Sequence, residues 1–101
     1  MTDRAYLRAS LDSDSSGTID KQRHQIHKVS ANPAEYVDRS VSGYKIPFAE
    51  RPAGRQLLRE LQPGDRVLVS RIDRAARNVR DVLDIVETIK GRGASIVFVT
   101  Q

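Results

Sequence analysis

The sequence lacks the residues on which several classes of protein depend. Its 101 residues contain no cysteine and no tryptophan. The absence of cysteine excludes disulfide bonds and thiolate metal sites. The only two histidines, His24 and His27, are spaced as on a solvated helix face, and no carboxylate partner lies near them, so we expect no metal site. No apolar run approaches the roughly 18 residues that span a membrane, and the N-terminus has no apolar signal segment.

Positive charge is concentrated in the second half of the chain. Residues 1–50 contain 7 Lys+Arg and 7 Asp+Glu, whereas residues 51–101 contain 10 and 6 and therefore carry the whole net charge of +4. Every basic residue within 51–80 is an arginine. Because a guanidinium pairs with phosphate through two hydrogen bonds at once, this pattern favours a polyanionic partner. A GC-rich codon bias would produce the same composition, so the pattern does not establish such a partner.

Hydrophobic patterning predicts strands that alternate with helices in a single domain. Strands are expected over 4–10, 35–37, 67–69 and 96–99, the last of them buried. Helices are expected from an N-cap at Thr18 to residue 30, with Val29 on the apolar face, and from Pro52. Asn78 is expected to cap the last helix, whose predicted apolar stripe is Val79, Val82, Leu83, Val86 and Ile89. This order predicts a three-layer α/β fold, a mainly parallel sheet with helices on both faces.

Polar side chains follow the predicted strands where such a sheet binds ligands. Ligands of open α/β sheets lie beyond the carboxyl ends of the strands, where the winding reverses. The first strand ends in Arg8-Ala9-Ser10, and alternation places Arg8 and Ser10 on the same side as Tyr6. The third predicted strand runs into residues 70–78, SRIDRAARN. Arg74 and Arg77 are three residues apart, so in a helical turn they project side by side, and a phosphate between them offsets their repulsion better than Asp73 does.

These side chains fit phosphoryl transfer better than hydrolysis by a serine–histidine pair. A serine at a strand end is by itself more typical of a cap or a turn. No histidine lies close to Ser10 in sequence, so a Ser-His-Asp arrangement has little support. With Arg8 beside it, Ser10 fits a hydroxyl that attacks a phosphodiester while guanidiniums neutralise the growing charge on the phosphoryl oxygens.

Six short motifs extend this pattern over almost the whole chain, and with them the sequence resembles the catalytic domain of the serine site-specific recombinases. That family includes resolvases, invertases and large serine integrases, and the resemblance runs from Tyr6 to Gln101. The motifs are, in order, Tyr6-x-Arg8-x-Ser10, Thr18-Ile19-Asp20-x-Gln22, Asp38-x-x-x-Ser42-Gly43, Arg51-Pro52, Gly64-Asp65 and Asp73-Arg74-x-x-Arg77.

The resemblance implies a resolvase-like catalytic domain, truncated at residue 101, that acts on double-stranded DNA. Ser10 would attack a DNA phosphate, become linked to the 5′ phosphate and release a 3′ hydroxyl. Four subunits, a homotetramer built from homodimers, would exchange and rejoin the strands without a cofactor, ATP or a metal ion. The implied location is cytoplasmic, on the nucleoid, in a protein encoded by a bacterium or a phage.

The resemblance also implies a role for each matched side chain. The implied ligands of the scissile phosphate are Arg8, Arg74 and Arg77, with Arg51 as a further ligand and Arg55 as its rival. Asp73 would orient arginines or assist proton transfer. The residues implied to support the pocket are Tyr6, Gln22, Asp38, Ser42 and Arg71.

The sequence departs from the family in places, and other functions stay open. Leu11 replaces the usual threonine after the nucleophile, and Ala75 replaces a leucine. Residues 1–101 contain no counterpart of the family's dimerisation helix or DNA-binding domain, so we expect no recombination by these residues alone. A catalytically silent DNA-binding or assembly module of the same fold is one alternative. A receiver domain is disfavoured because Arg8 and Ser10 occupy the strand end at which a receiver has an acidic pair. A nucleotide-binding fold is disfavoured because it needs Gly-x-Gly-x-x-Gly after the first strand, and LDSDSSG contains a single glycine. The subtype of recombinase is not determined.

Overall fold

The computed structural model describes residues 1–9, 15–39 and 45–100, and the side chains of all of these except 15–17. The described strands are β1 (Asp3–Ala9), β2 (Ala34–Arg39), β3 (Arg66–Val69) and β4 (Ser95–Phe98). The described helices are α1 (Ser15–His27), α2 (Pro52–Glu60), α3 (Ile72–Ala75) and α4 (Val79–Gly91), with a 3₁₀ turn at Phe48–Glu50 before α2. Ser10 and Ser42 lie outside the described residues.

The four strands form one parallel sheet in the order β2-β1-β3-β4. From the central β1 the chain crosses to β2 on one side and then to β3 and β4 on the other, so the winding reverses between β1 and β3. Arg8 of β1 lies opposite Asp38 of β2, and Tyr6 lies opposite Val69 of β3. The first and third strands are therefore adjacent, and the switch point lies beside Arg8.

Alternation along β1 divides the core between the two faces of the sheet. Ala5, Leu7 and Ala9 pack with Ile19 and Ile26 of α1. Tyr6 packs on the opposite face, in a cluster to which α2, α3 and α4 contribute. Helices therefore cover both faces of a parallel sheet, and the predicted three-layer α/β fold is confirmed.

Helix α1 begins and ends earlier than its sequence pattern predicts. It starts at Ser15, so Thr18 is inside the helix and is not its N-cap. It ends at His27, because the N–H groups of Val29 and Ser30 both bond to the carbonyl of Ile26 and close the helix in a turn. Val29 therefore leaves the predicted apolar face and is 41% exposed.

The buried face of α4 also differs from the predicted stripe. Asn78 does cap this helix, since its side-chain oxygen accepts the Asp81 N–H at 2.9 Å. However, Val79 is 79% and Leu83 58% exposed, and the buried positions are Asp81, Ile85 and Ile89. The carboxylate of Asp81 accepts the Arg77 N–H at 2.8 Å, so this polar residue takes one of the buried positions of the helix beside Ile85 and Ile89.

The final strand, β4, is half-buried and not fully buried as predicted. It lies at the edge of the described sheet and pairs with β3 alone among the described strands. Gly93, which adopts a φ of 77°, turns the chain from α4 into this strand.

Candidate active site at the carboxyl ends of β1 and β3

Two guanidiniums converge on one backbone oxygen beyond the carboxyl ends of β1 and β3. Arg8 Nε donates to the carbonyl of Arg74 at 3.2 Å, and Arg51 Nη1 donates to the same oxygen at 2.8 Å. Arg8 Nη2 also donates to the carbonyl of Asp73 at 3.3 Å. Arg8 is 7% exposed and Arg51 is completely buried. The structure therefore brings together Arg8, Arg51 and Arg74, three of the predicted phosphate ligands.

The electrostatics of this cluster favour an anion. Burial lowers the pKa of Arg8, and the nearby positive charges of Arg51 and Arg74 lower it further. Guanidiniums stay protonated at ordinary pH, so the lowered pKa reports mutual repulsion in a region that excludes water. A phosphate bound beside Arg8 would offset both the lost hydration and the repulsion.

A buried tyrosine and a buried aspartate hold Arg51 in place. The Tyr6 hydroxyl donates to Asp38 Oδ2 at 2.8 Å and accepts from Arg51 Nη1 at 3.1 Å. Asp38 also accepts the backbone N–H groups of Ala53 at 2.9 Å and Gly54 at 3.3 Å, at the N-terminus of α2. Burial raises the pKa of Tyr6, which keeps its phenol protonated and able to donate. Asp38 thus fixes the start of α2 and, through it, the preceding Arg51.

Gln22 holds the end of β1, the strand that carries Arg8 into the site. Its side-chain oxygen accepts the Arg8 N–H at 3.1 Å, and its amide nitrogen donates to the Arg8 carbonyl at 2.8 Å. This pair of bonds ties α1 to the strand two residues before Ser10. Of the residues predicted to support the pocket, Tyr6 and Gln22 therefore bond directly to Arg51 and Arg8, whereas Asp38 acts through Tyr6 and the start of α2.

Arg77 is not brought to this cluster. Helix α3 ends at Ala75 and Ala76 is extended, so Arg74 and Arg77 do not share a helical turn, and the predicted side-by-side arrangement is wrong. The Arg77 N–H donates to Asp81 Oδ2 at 2.8 Å, and Arg77 Nε lies 3.5 Å from the same oxygen. Both Ala75 and Ala76 are buried in the core, which draws the chain out of the helix before Arg77.

Asp73 and Arg71 lie at the surface above the cluster. Their side chains are 69% and 60% exposed, and Arg71 Nε lies 3.7 Å from Asp73 Oδ1. Arg55, the rival of Arg51, is exposed on α2. Of these two arginines, Arg51 is the one that contacts Tyr6.

Sequence reasoning missed two residues at this edge of the sheet. Phe48 packs on Tyr6 with ring centroids 4.7 Å apart. Ser70, directly after β3, is 1% exposed and lines a polar cavity of about 220 Å³ between this strand end and α1. The available signal for Ser70 was the continuous apolar run Val67-Leu68-Val69, which is typical of a parallel strand buried on both faces, so the serine that directly follows it is expected to be buried too.

The described residues contain no group of three or more histidine, aspartate or glutamate side chains placed to hold a metal ion. Among the same residues, no helix has the length and apolar character needed to cross a membrane.

Comparisons with known proteins agree with this fold. Residues 4–101 match the family model described as "Resolvase, N terminal domain". A resolvase from Clostridium perfringens is 29% identical over 91 residues, which cover 90% of this chain and 45% of that protein. The serine recombinase PinR from Escherichia coli is 30% identical over 81 residues, 78% of this chain and 41% of that protein. The chain therefore spans less than half the length of these relatives.

Solved structures show the same likeness. The N-terminal catalytic domain of TP901-1 integrase superposes with a TM-score of 0.75 at 27% identity, covering 96% of this chain and 75% of that one. A serine recombinase from Sulfolobus solfataricus superposes with a TM-score of 0.71 at 24% identity, covering 95% of this chain and 66% of that one, which supports the fold alone. The family match over residues 4–101 confirms the resemblance, and the chain belongs to the resolvase N-terminal domain family, the catalytic domains of the serine recombinases.

Proposed function

We propose that Ser10 is the nucleophile of a DNA strand-transfer reaction and that Arg8, Arg51 and Arg74 bind the phosphate it attacks. The observation that carries this proposal is the convergence of Arg8 and Arg51 on the carbonyl of Arg74. Ser10 follows Ala9, the last residue of β1, and lies two positions after Arg8. Successive strand side chains alternate between faces, so this spacing favours the same side for the hydroxyl and the guanidinium.

In the proposed step, Ser10 Oγ forms a bond to phosphorus and the bond from phosphorus to the 3′ oxygen breaks. The serine proton leaves as the hydroxyl attacks, and the 3′ oxygen takes up a proton as it departs. The product is a 5′-phosphoserine and a free 3′ hydroxyl, and attack by a 3′ hydroxyl reverses the step. The phosphoserine conserves the phosphodiester energy, so religation consumes no ATP. Each well-placed guanidinium is expected to contribute about 10²–10³ in rate.

The remaining side chains have secondary roles in this proposal. Asp73 orients arginines or assists proton transfer, and Arg71 pairs with it at 3.7 Å. Tyr6, Gln22 and Asp38 hold the arginines, and Ser42 is assigned to the same support. Arg77 joins the phosphate only if it leaves Asp81, which its guanidinium approaches to 3.5 Å.

We also propose that this domain acts within a longer protein. The relatives are more than twice as long as the region they share with this chain. Strand exchange on double-stranded DNA would then need a homodimer, two of which form a homotetramer, with dimerisation and site recognition supplied by other segments. Because the proposed partner is double-stranded DNA, we place the protein in the cytoplasm, on the nucleoid.

The experiment uses the full-length protein and a DNA substrate with a nick that prevents religation, so that covalent adducts accumulate. We expect an adduct whose modified residue, found by peptide mass spectrometry, is Ser10. Ser10→Ala should abolish the adduct while DNA binding is retained, and the control Ser95→Ala, at an exposed position of β4, should form it normally. Equal loss of binding and adduct in Ser10→Ala would overturn the assignment. DNA binding without any adduct in the unaltered protein would favour a silent module.

A matched pair of arginine variants tests the phosphate ligands. Arg51→Lys should reduce adduct formation about 100-fold, because an ammonium cannot reproduce the planar fork that reaches Tyr6 and the Arg74 carbonyl. Arg55→Lys, at an exposed site, should leave it near normal. The opposite ranking would make Arg55 the ligand.

A further inference from the structure

Phe48 attaches the segment that leads to Arg51 to the core. Within the described residues 45–50, Phe48 is 1% exposed and every other residue is half-buried or exposed. Its ring packs on the ring of Tyr6, with centroids 4.7 Å apart and an angle of 47° between the planes. Such a tilted arrangement is favourable for two aromatic rings, so one side chain holds this segment against β1.

Arg51 closes the same segment into a small loop. Its backbone N–H donates to the carbonyl of Phe48 at 3.2 Å, and its Nε donates to the carbonyl of Ile46 at 2.9 Å. The other end of the guanidinium bonds to the Tyr6 hydroxyl and to the carbonyl of Arg74. Two backbone oxygens of the loop therefore hold Arg51, and the Phe48 ring holds the loop itself.

Helix α2 accommodates the backbone of Phe48 at close range. Gly54 lies in the first turn of this helix, and a Cβ added there would overlap the backbone oxygen of Phe48 and lie 3.1 Å from its ring atom Cδ2. A residue with a side chain would block this approach, which glycine permits. Phe48 is therefore held between Tyr6, which bonds to Arg51, and the helix that begins directly after Arg51.

We propose that Phe48 is a positioning residue, which holds the Arg51 guanidinium in the orientation that binds the attacked phosphate and does not itself touch that phosphate. The catalytic part of this assignment rests on the proposed function of Arg51. A ring that only filled the core would affect the reaction no more than it affects stability. A positioning ring changes the behaviour of Arg51 while the rest of the domain stays folded.

The first test observes Arg51 directly and does not involve cleavage. Nitrogen-15 NMR of the chain measures the exchange of the Arg51 Nε–H with water, which is slow for a buried donor bonded to a carbonyl. Phe48→Leu should speed this exchange about tenfold, because the loop loses its attachment, while backbone amides of β1 exchange as before.

Phe98→Leu is the matched control for this measurement. Phe98, the only other phenylalanine of the chain, packs against the same core cluster but is separated from Tyr6 by Val69 of β3. This variant should leave the exchange of the Arg51 Nε–H unchanged. Equal exchange rates in the two variants would overturn the proposal.

The second test measures the rate of adduct formation by the full-length protein on saturating nicked DNA, with DNA affinity measured separately. Phe48→Leu should slow adduct formation about tenfold, because displacing a catalytic group by about 1 Å costs up to about 100-fold. DNA affinity should stay unchanged, as should the urea midpoint relative to Phe98→Leu. An unchanged rate, or a loss of affinity at equal rate, would contradict a positioning role.

A double variant separates positioning from a general structural effect. Arg51→Lys alone should slow adduct formation about 100-fold, and Phe48→Leu should add nothing to that loss if it acts through Arg51. Independent effects would multiply to about 1000-fold, and that result would refute the role of Phe48.

Two further provisions make every outcome decisive. If the unaltered protein forms no adduct, the proposed function fails, and the exchange of the Arg51 Nε–H alone then decides whether Phe48 positions this side chain. If Phe48→Leu does not fold, Phe48→Met takes its place in each measurement, because the unbranched methionine side chain fills irregular gaps in a core.

Discussion

Asp38 is expected to contribute more to stability than any exposed carboxylate of this domain. The residue is 3% exposed, and its carboxylate accepts three hydrogen bonds, from the Tyr6 hydroxyl and from the N–H groups of Ala53 and Gly54. Asp38→Ala removes both carboxylate oxygens and with them all three hydrogen bonds. The Tyr6 oxygen still accepts from Arg51, but its hydrogen and two buried N–H groups at the start of α2 lose their partner.

The magnitude follows from the number of donors left unpaired. A buried donor without a partner costs about 1–3 kcal/mol, and loss of an N-terminal helix acceptor costs about 1 kcal/mol. We therefore expect Asp38→Ala to lower the free energy of unfolding by about 3–4 kcal/mol. A domain of this size has about 5–15 kcal/mol in total, so the variant should still fold. Asp38→Asn keeps the shape and one acceptor oxygen and should cost about 1–2 kcal/mol.

Urea unfolding followed by circular dichroism measures these differences. If the slope of the unfolding free energy against urea concentration is unchanged, the variants pass between the same folded and unfolded states as the unaltered protein. Asp84→Ala is the matched control, because Asp84 is exposed on α4 and should change stability by less than about 0.5 kcal/mol. If Asp38→Ala were within about 1 kcal/mol of the unaltered protein at equal slope, the carboxylate would not be the anchor of α2 and Tyr6.

Two further predictions concern packing and pH. Gly54→Ala should destabilise the domain by about 2–3 kcal/mol in urea unfolding, because the added Cβ would overlap the backbone oxygen of Phe48. Gly91→Ala should instead stabilise it by about 0.5–1 kcal/mol, because a Cβ added there meets no atom within 4 Å. Similar effects at both positions would contradict the structure. Burial acts to raise the pKa of Asp65, but hydrogen bonds from the Arg4 side chain and two backbone N–H groups together hold it below its ordinary value of 3.8. The stability that this lowered pKa contributes is complete above about pH 4 and is lost as the pH falls through the folded-state pKa. Asp65→Asn should therefore flatten the acid limb of the stability–pH profile. An unchanged limb would show that Asp65 is not the group responsible.

Much of the site could be predicted because its features are local in sequence. Alternation in β1 placed Arg8 on the face of Tyr6, and the structure agrees, with Arg8 bonded to α3 on that face. The cap at Asn78 and the start of α2 at Pro52 were read from single residues with fixed backbone preferences. Each of these depends on contacts within a few residues, which is the range over which a sequence pattern determines conformation.

The features that could not be predicted depend on contacts between distant segments. The sequence by itself determined the order of the elements, which residues of β1 share a face, and the set of arginines available to the site. Only the tertiary structure decided that Arg51 is buried against Tyr6, that Arg77 pairs with Asp81, and that Ser70 is buried at the end of β3. The physical reason is that strand register and helix packing bring together residues far apart in the chain, and the spacing of side chains along one element contains no information about its partners.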